Sequence, residues 1–261
     1  MIRSLFTAAT GMTAQQMEQD VIANNLANVN TSGFKKSRAN FQDLMYQIFS
    51  KAGATSSTGI QLPAGIEIGM GVKPVSTQKI FTQGDFQSTG NAFDWSIEGD
   101  GFFQIDDGKG GTAYTRAGSF KINKDGAICN SEGMLLTPTI SVPQGTVVVT
   151  VDKSGSVTAT DSKGTITQIG QLQIATFINP AGLSSIGRNL YNKTDASGDA
   201  SVGNPNVDGK GAITQYFLEM SNVNVIEEMV KMITGQRAYE INSKAIQTAD
   251  NMLAIINALK R

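Results

Sequence analysis

Two helical apolar seams, one at each end of the chain, constrain the fold more than anything between them. Toward the N-terminus, Ile2, Leu5, Ala9 and Met12 follow 3-4-3 spacing, and Ala23 and Leu26 resume the seam after Gln16 and Gln19. Toward the C-terminus, Val223, Ile226, Val230 and Ile233 make one seam, and Ala238, Ile241, Ala245, Thr248, Met252, Ile255 and Leu259 make another. The step from Ile233 to Ala238 contains Gly235, a phase slip that marks a bend or a change of packing partner. Helices draw most of their stability from packing such faces. Seams this long therefore demand partners, and the spacing predicts helices over 2–30 and from about 222 to the end.

The middle of the chain reads as β. Residues 101–105 and 113–116 flank the turn 106–111, and residues 119–123 and 127–129 flank Lys124-Asp125-Gly126. Val147–Val151 and Val157–Thr160 flank Asp152-Lys153-Ser154-Gly155, and a Ser-Lys-Gly turn at 162–164 leads to Ile166 and the run 171–178. Asp-Gly and Ser-Gly turns between β-branched runs are hairpin chemistry. The 28 glycines, roughly 11% of the chain against a usual 7% or so, suit a turn-rich β protein. Short strands at this spacing predict a compact antiparallel barrel or sandwich. Residues 187–215, rich in Gly, Asn and Ser, read as a long loop. Between the first helix and the β region, Phe41, Leu44, Met45, Ile48 and Phe49 sit at helical spacing, and Leu62–Val72 is broken by Pro63, Gly65, Gly69 and Gly71. That stretch reads as an extended excursion with no core of its own. The expected fold class is α+β: terminal helices paired as a coiled-coil-like layer, a central antiparallel all-β domain, and an extended insertion. The expected domains are 1–30 with 222–261, 31–72, and 73–221.

Several chemistries are excluded. The chain has no His, which removes Ser-His-Asp and Cys-His catalysis and His-ligated metals. Cys129 is the only cysteine, so no disulfide forms within the chain. A net charge of −1 gives no basic field for nucleic acid or an anionic membrane. Lys121, Asn123, Asp125, Gly126 and Glu132 fall on positions of a calcium loop, but a Lys at the first position puts a cation where a cation should bind. Gly209-Lys210 fails as a phosphate loop because Gly211 stands where Ser or Thr is required. Asp106-Asp107 and Glu227-Glu228 are adjacent pairs whose side chains diverge. No cofactor, metal or catalytic residue is expected. The first ten residues imitate a signal peptide only weakly, with no cleavage site after the apolar run.

The longest motifs resemble one family. Asp20-Val-Ile-Ala-Asn-Asn-Leu-Ala-Asn-Val-Asn-Thr-Ser-Gly-Phe-Lys35 is similar to the N-terminal motif of bacterial flagellar rod and hook proteins. Ser221-Asn-Val-Asn-Val-Ile-Glu-Glu-Met-Val230 and Gln236-Arg-Ala-Tyr-Glu-Ile-Asn-Ser-Lys244 are similar to its C-terminal motif. Gly99-Asp-Gly-Phe-Phe-Gln104 and Tyr114-Thr-Arg-Ala-Gly-Ser-Phe120 resemble its β domain. Phe41-Gln-Asp-Leu-Met-Tyr-Gln47 with Leu62-Pro-Ala-Gly-Ile-Glu-Ile-Gly-Met-Gly71 resembles an insertion of the distal-rod branch, with proximal-rod paralogues as the alternative.

The resemblance implies a structural subunit of the basal body, a periplasm-spanning rod. It would be exported uncleaved through the type III apparatus and self-assemble into a hollow helical tube that transmits torque from motor to hook. Implied partners are further copies of itself, proximal rod and hook proteins, and the rings around the rod, without nucleic acid. Expected tube contacts are Leu5, Met12, Leu26, Ile233, Ile241, Met252, Ile255 and Leu259, with Phe41, Leu44, Tyr46 and Leu62 bridging from the insertion. Alternatives of other classes are a peptidoglycan-cleaving hydrolase, which would need a cleft with two carboxylates, and a β-domain adhesin with terminal coiled coils.

Overall fold

The structure is a computed structural model that describes residues 2–51, 53, 63–108 and 110–259. Leu62 lies outside the described residues. The chain forms two compact units: a helical unit of 1–26, 37–78 and 224–261, and a β unit of 27–36 and 79–223. Residues 31–36 of the expected insertion thus cluster with the β unit, and 37–72 with the helices.

In the helical unit, α1 runs Ile2–Ala27 and α2 runs Val225–Leu259. Asn224 caps α2: its Oδ1 accepts from the backbone N–H of Ile226 at 3.0 Å and of Glu227 at 3.3 Å. Glu227 and Glu228 occupy the first turn, where the helix dipole favours negative charge.

The stretch after α1 is extended. Ser37–Asp43 pairs with Val72–Lys79, and Tyr46–Ser50 pairs antiparallel with Ile66–Gly69, Tyr46 opposite Gly69 and Gln47 opposite Ile68. The helical spacing of Phe41, Leu44, Met45 and Ile48 is overridden here. The glycine-broken run at 66–71, which cannot continue a helix, offers its backbone as a strand partner instead, and aromatic and β-branched side chains accept that geometry. The Leu44 N–H also donates to the Gly71 carbonyl at 2.8 Å.

In the β unit, the main sheet orders Ser184–Gly187, Leu190–Asn192, Thr112–Thr115, Phe102–Asp106, Ile174–Thr176 and Ser201–Gly203, with Leu136–Thr137 also paired to Phe102–Asp106. A second sheet stacks Thr146–Val151, Ser156–Asp161 and Ile166–Gln171 in antiparallel order, with Val151 opposite Val157 across the predicted Asp152–Gly155 turn. Lys121–Ile122 pairs with Ile128–Cys129, so the calcium-like spacing belongs to a hairpin.

Period-2 alternation sorts the side chains. Phe103 and Ile105 enter the main core with Trp95, Phe120, Ile174 and Ile213, while Phe102 joins an aromatic cluster of Tyr114, Phe177 and Tyr191. The sheets are open, and among the described residues none closes into a barrel. The main sheet ends instead at the short strands Ser184–Gly187 and Ser201–Gly203. The expected loop over 187–215 contains the strands Leu190–Asn192, Ser201–Gly203 and Ala212–Gln215. Leu190–Asn192 forms a local hairpin with Ser184–Gly187, whereas Ser201–Gly203 and Ala212–Gln215 pair with Ile174–Thr176 and Trp95–Glu98, which no local pattern announced.

Candidate assembly surface

Several contacts between the two helices involve small or polar residues. Asn25 of α1 donates from Nδ2 to Glu228 Oε2 of α2 at 3.0 Å. A Cβ on Gly235 would stand 3.4 Å from Gln15 Oε1, and one on Gly11 would stand 2.9 Å from Asn242 Nδ2. These contacts run in opposite directions along the two helices, so the pair is antiparallel. On α2 the seam residues Glu228, Gly235, Asn242 and Ala249 recur every seven residues, and Ala249 is buried. On α1, Ala8, Gly11, Gln15, Ile22 and Asn25 fall on the matching 3-4 spacing, and Ala8, Ile22 and Asn25 are buried. A Cβ at Gly235 would sit at ordinary contact distance, and one at Gly11 would need only the Asn242 side chain to shift.

Asn25 also ties the segment after α1 to this seam. Its Nδ2 donates to the Ser37 carbonyl and its Oδ1 accepts from the Ser37 N–H, both at 2.9 Å. Lys231 closes the group, donating to Glu228 Oε1 at 3.0 Å and pairing with Glu227 at 2.9 Å. Partial burial pulls the Lys231 ammonium down, but hydrogen bonds to Glu227 and Glu228 outweigh it and hold the group above the ordinary lysine value.

Six large apolar side chains of α2 occupy the other face. Ile226, Val230, Ile233, Ile241, Met252 and Ile255 are between 50% and 76% exposed. At 100° per residue they centre roughly opposite Glu228, Gly235, Asn242 and Ala249. The row facing the partner helix is mixed: Met232, Ile246 and Leu253, all half-buried, alternate with Glu228, Gly235, Asn242 and Ala249 at 4-3 spacing, while the six exposed apolar side chains point away from it. Leu5, Met12 and Leu26 of α1 are half-buried, because the seam of α1 lies one residue away from the spacing that included them. Leu259 ends α2. In the extended stretch Phe41 and Leu44 are half-buried. Tyr46, Ile48, Phe49, Ile66 and Ile68 of the hairpin are exposed on both of its faces. Arg3 of α1 lies 4.8 Å from the Phe49 ring centroid; an isolated two-stranded pair is marginal in water.

One polar group in the β unit was not legible in advance. Lys35, Arg116 and Glu219 are buried together, with Lys35 Nζ 2.6 Å from Glu219 Oε1 and Arg116 Nε 3.5 Å from Glu219 Oε2. Burial pulls the Lys35 ammonium below its ordinary value although Glu219 opposes this, and burial likewise lowers Arg116. The three residues come from three separate motifs far apart in the sequence.

Comparison with known proteins fits this geometry. Residues 5–35 match the family described as flagella basal body rod protein, 96–159 the flagellar hook protein FlgE/F/G D1 domain, and 214–259 the flagellar basal body rod FlgEFG protein C-terminal family. The class is therefore the axial structural proteins of the bacterial flagellum. The flagellar basal-body rod protein FlgG of Borreliella burgdorferi is 50% identical across the full length of both chains. FlgG of Buchnera aphidicola subsp. Schizaphis graminum is 46% identical over 99% of this chain and all of its own. FlgG of Bacillus subtilis is 41% identical over the full length of both. The chain belongs to the FlgG family of flagellar basal-body rod proteins. It is a structural protein of the basal body and not an enzyme, and the hydrolase alternative has no support among these relatives.

Proposed function

We propose that this chain is the distal-rod subunit and that α1 and α2 form a coiled-coil-like layer whose outward apolar face is covered by neighbouring copies. The observation that carries this reading is the exposed apolar face of α2. Away from the row of Glu228, Gly235, Asn242 and Ala249, six large apolar side chains stand at least half exposed. Fully burying each is worth roughly 1.5–3 kcal/mol. Contact of one patch on a subunit with a different patch on the next generates an open helical array, here a hollow tube whose inner wall is the helical layer. Residues 31–72, with Phe41, Leu44 and Tyr46, bridge adjacent subunits. The β domain forms the outer surface, toward the surrounding rings. The ends of the tube meet proximal-rod and hook proteins, and torque passes from motor to hook through the side-by-side contacts. Delivery through the type III apparatus as an unfolded chain suits a subunit whose apolar face is solvated until neighbours arrive.

The test is location. A gold label on the Asp161–Thr165 turn of the β unit, in purified subunit polymerised in solution, is expected at the outer radius of the tube, with the helices around the lumen. A label found at the lumen, or polymers that grow without ordered helices, overturns the reading.

A further inference from the structure

We infer that Lys35, Arg116 and Glu219 form a charge latch that admits the segment 27–36 into the β unit only once the strand Phe217–Glu219 is in place. This inference concerns folding within one chain and stands apart from the tube reading. Lys35 is fully enclosed: its Nζ donates to Glu219 Oε1 at 2.6 Å and to the Thr82 carbonyl at 2.7 Å. Arg116, almost as deeply buried, donates from Nη2 to the Gly99 carbonyl at 2.7 Å. Among the described residues Glu219 is the one anion that pairs directly with both cations, with Asp100 acting on both from farther away, and it also accepts the Gly84 N–H at 3.0 Å. Without it, docking of the segment would place two like charges side by side in a low-dielectric interior, which is strongly unfavourable.

Glu219 lies 184 residues beyond Lys35, on the strand whose residue 219 registers opposite Phe86. Once that strand is set, further bonds follow. The Gly33 N–H donates to the Glu219 carbonyl at 2.8 Å and the Ile80 N–H to the Lys36 carbonyl at 2.9 Å. Asn222 accepts from the Lys36 N–H and donates to the Ile80 carbonyl, each at 2.8 Å. Gly33 makes the fit possible, with φ +68° and a would-be Cβ only 2.5 Å from the Ala117 nitrogen. The segment directly follows α1, and residues 219–223 directly precede α2. Closing the latch therefore fixes, in one step, the two chain ends from which the helices start. During synthesis, which runs N-terminus first, the segment after α1 cannot dock until Glu219 has been made.

Limited trypsin digestion of full-length protein reads the latch at the bond after Lys36, with emission from Trp95, the only tryptophan, reporting the β core. Wild type is expected to resist cleavage there. Glu219→Gln keeps the shape but leaves Lys35 and Arg116 with only the more distant Asp100 opposing their charge, and cleavage is expected to rise at least about tenfold while Trp95 emission stays native. Lys35→Met in the Glu219→Gln background removes the cation that the segment itself brings in, and is expected to reverse most of that rise. The latch is overturned if Glu219→Gln is cleaved at the wild-type rate, if the double variant is as open as the single, or if Trp95 emission is lost together with protection.

Discussion

Consider Ile241→Ala in purified subunit. Ile241 is 66% exposed in the single chain, so the isolated molecule barely uses it, and its removal should change monomer stability by no more than about 0.5 kcal/mol. In a polymer the exposed two-thirds of the side chain is covered. Fully burying an isoleucine is worth roughly 1.5–3 kcal/mol, so the loss per added subunit is about 1–2 kcal/mol. At 1.4 kcal/mol per tenfold, the critical concentration for polymerisation should rise about 5- to 30-fold. Ile241→Asp adds a desolvated carboxylate and should abolish polymer at accessible concentrations. Pelleting across a dilution series measures the critical concentration, and urea unfolding followed by helical circular dichroism measures the monomer. A critical concentration within about twofold of wild type, or a monomer destabilised by more than about 1 kcal/mol, would show that Ile241 packs within its own subunit and refute the reasoning.

Other expectations follow from single contacts. Asn25→Leu strips Ser37 of two backbone partners and Glu228 of one hydrogen bond, and should destabilise the helical unit by about 2–3 kcal/mol in a thermal melt followed at 222 nm. Gly118→Ala would set a Cβ 1.5 Å from the Trp95 carbonyl oxygen, so the β unit should lose about 3 kcal/mol or more, read from Trp95 emission in urea. Burial raises the Tyr191 phenol from 10.0 to about 12, with Arg116 opposing the shift and Glu219 adding to it. The unfolded chain therefore releases this proton first, and the contribution is present below pH 10 and lost as pH rises through 12. Stability should fall over that window at up to about 1.4 kcal/mol per pH unit, and Tyr191→Phe should shrink the difference between urea midpoints at pH 9 and pH 11.

The parts legible in the sequence were those set by local chemistry. Gly155 and Gly164 adopt φ of +80° and +75° in turns that their neighbours announced, and the strands on either side pair in the expected antiparallel way. Both terminal helices follow from their periodicity. What stayed hidden depends on partners far along the chain. Tyr46 and Ile48 become strand residues because Ile66–Gly69 lies beside them. The phase of the α1 seam is decided by Gly235 and Asn242, whose small or polar character matters only once the helices are side by side. An apolar stripe in a sequence names a face to be covered without naming what covers it. On α2 the stripe faces away from α1, so Ile233, Ile241, Met252 and Ile255 stand exposed, whereas Leu26 is half-buried. Lys35 and Glu219 illustrate the same limit for charge, since nothing near either residue states that the other will neutralise it.

Hydrogen exchange on α2 before and after polymerisation addresses the outward apolar face most directly. Amides of 225–259 should exchange quickly in dilute monomer and slow by about 100-fold or more in polymer, while those of 95–106 in the β core stay equally slow in both. Amides of 225–259 already as protected in the monomer as the β core, and unchanged on polymerisation, would mean that α2 finds its stability within one chain.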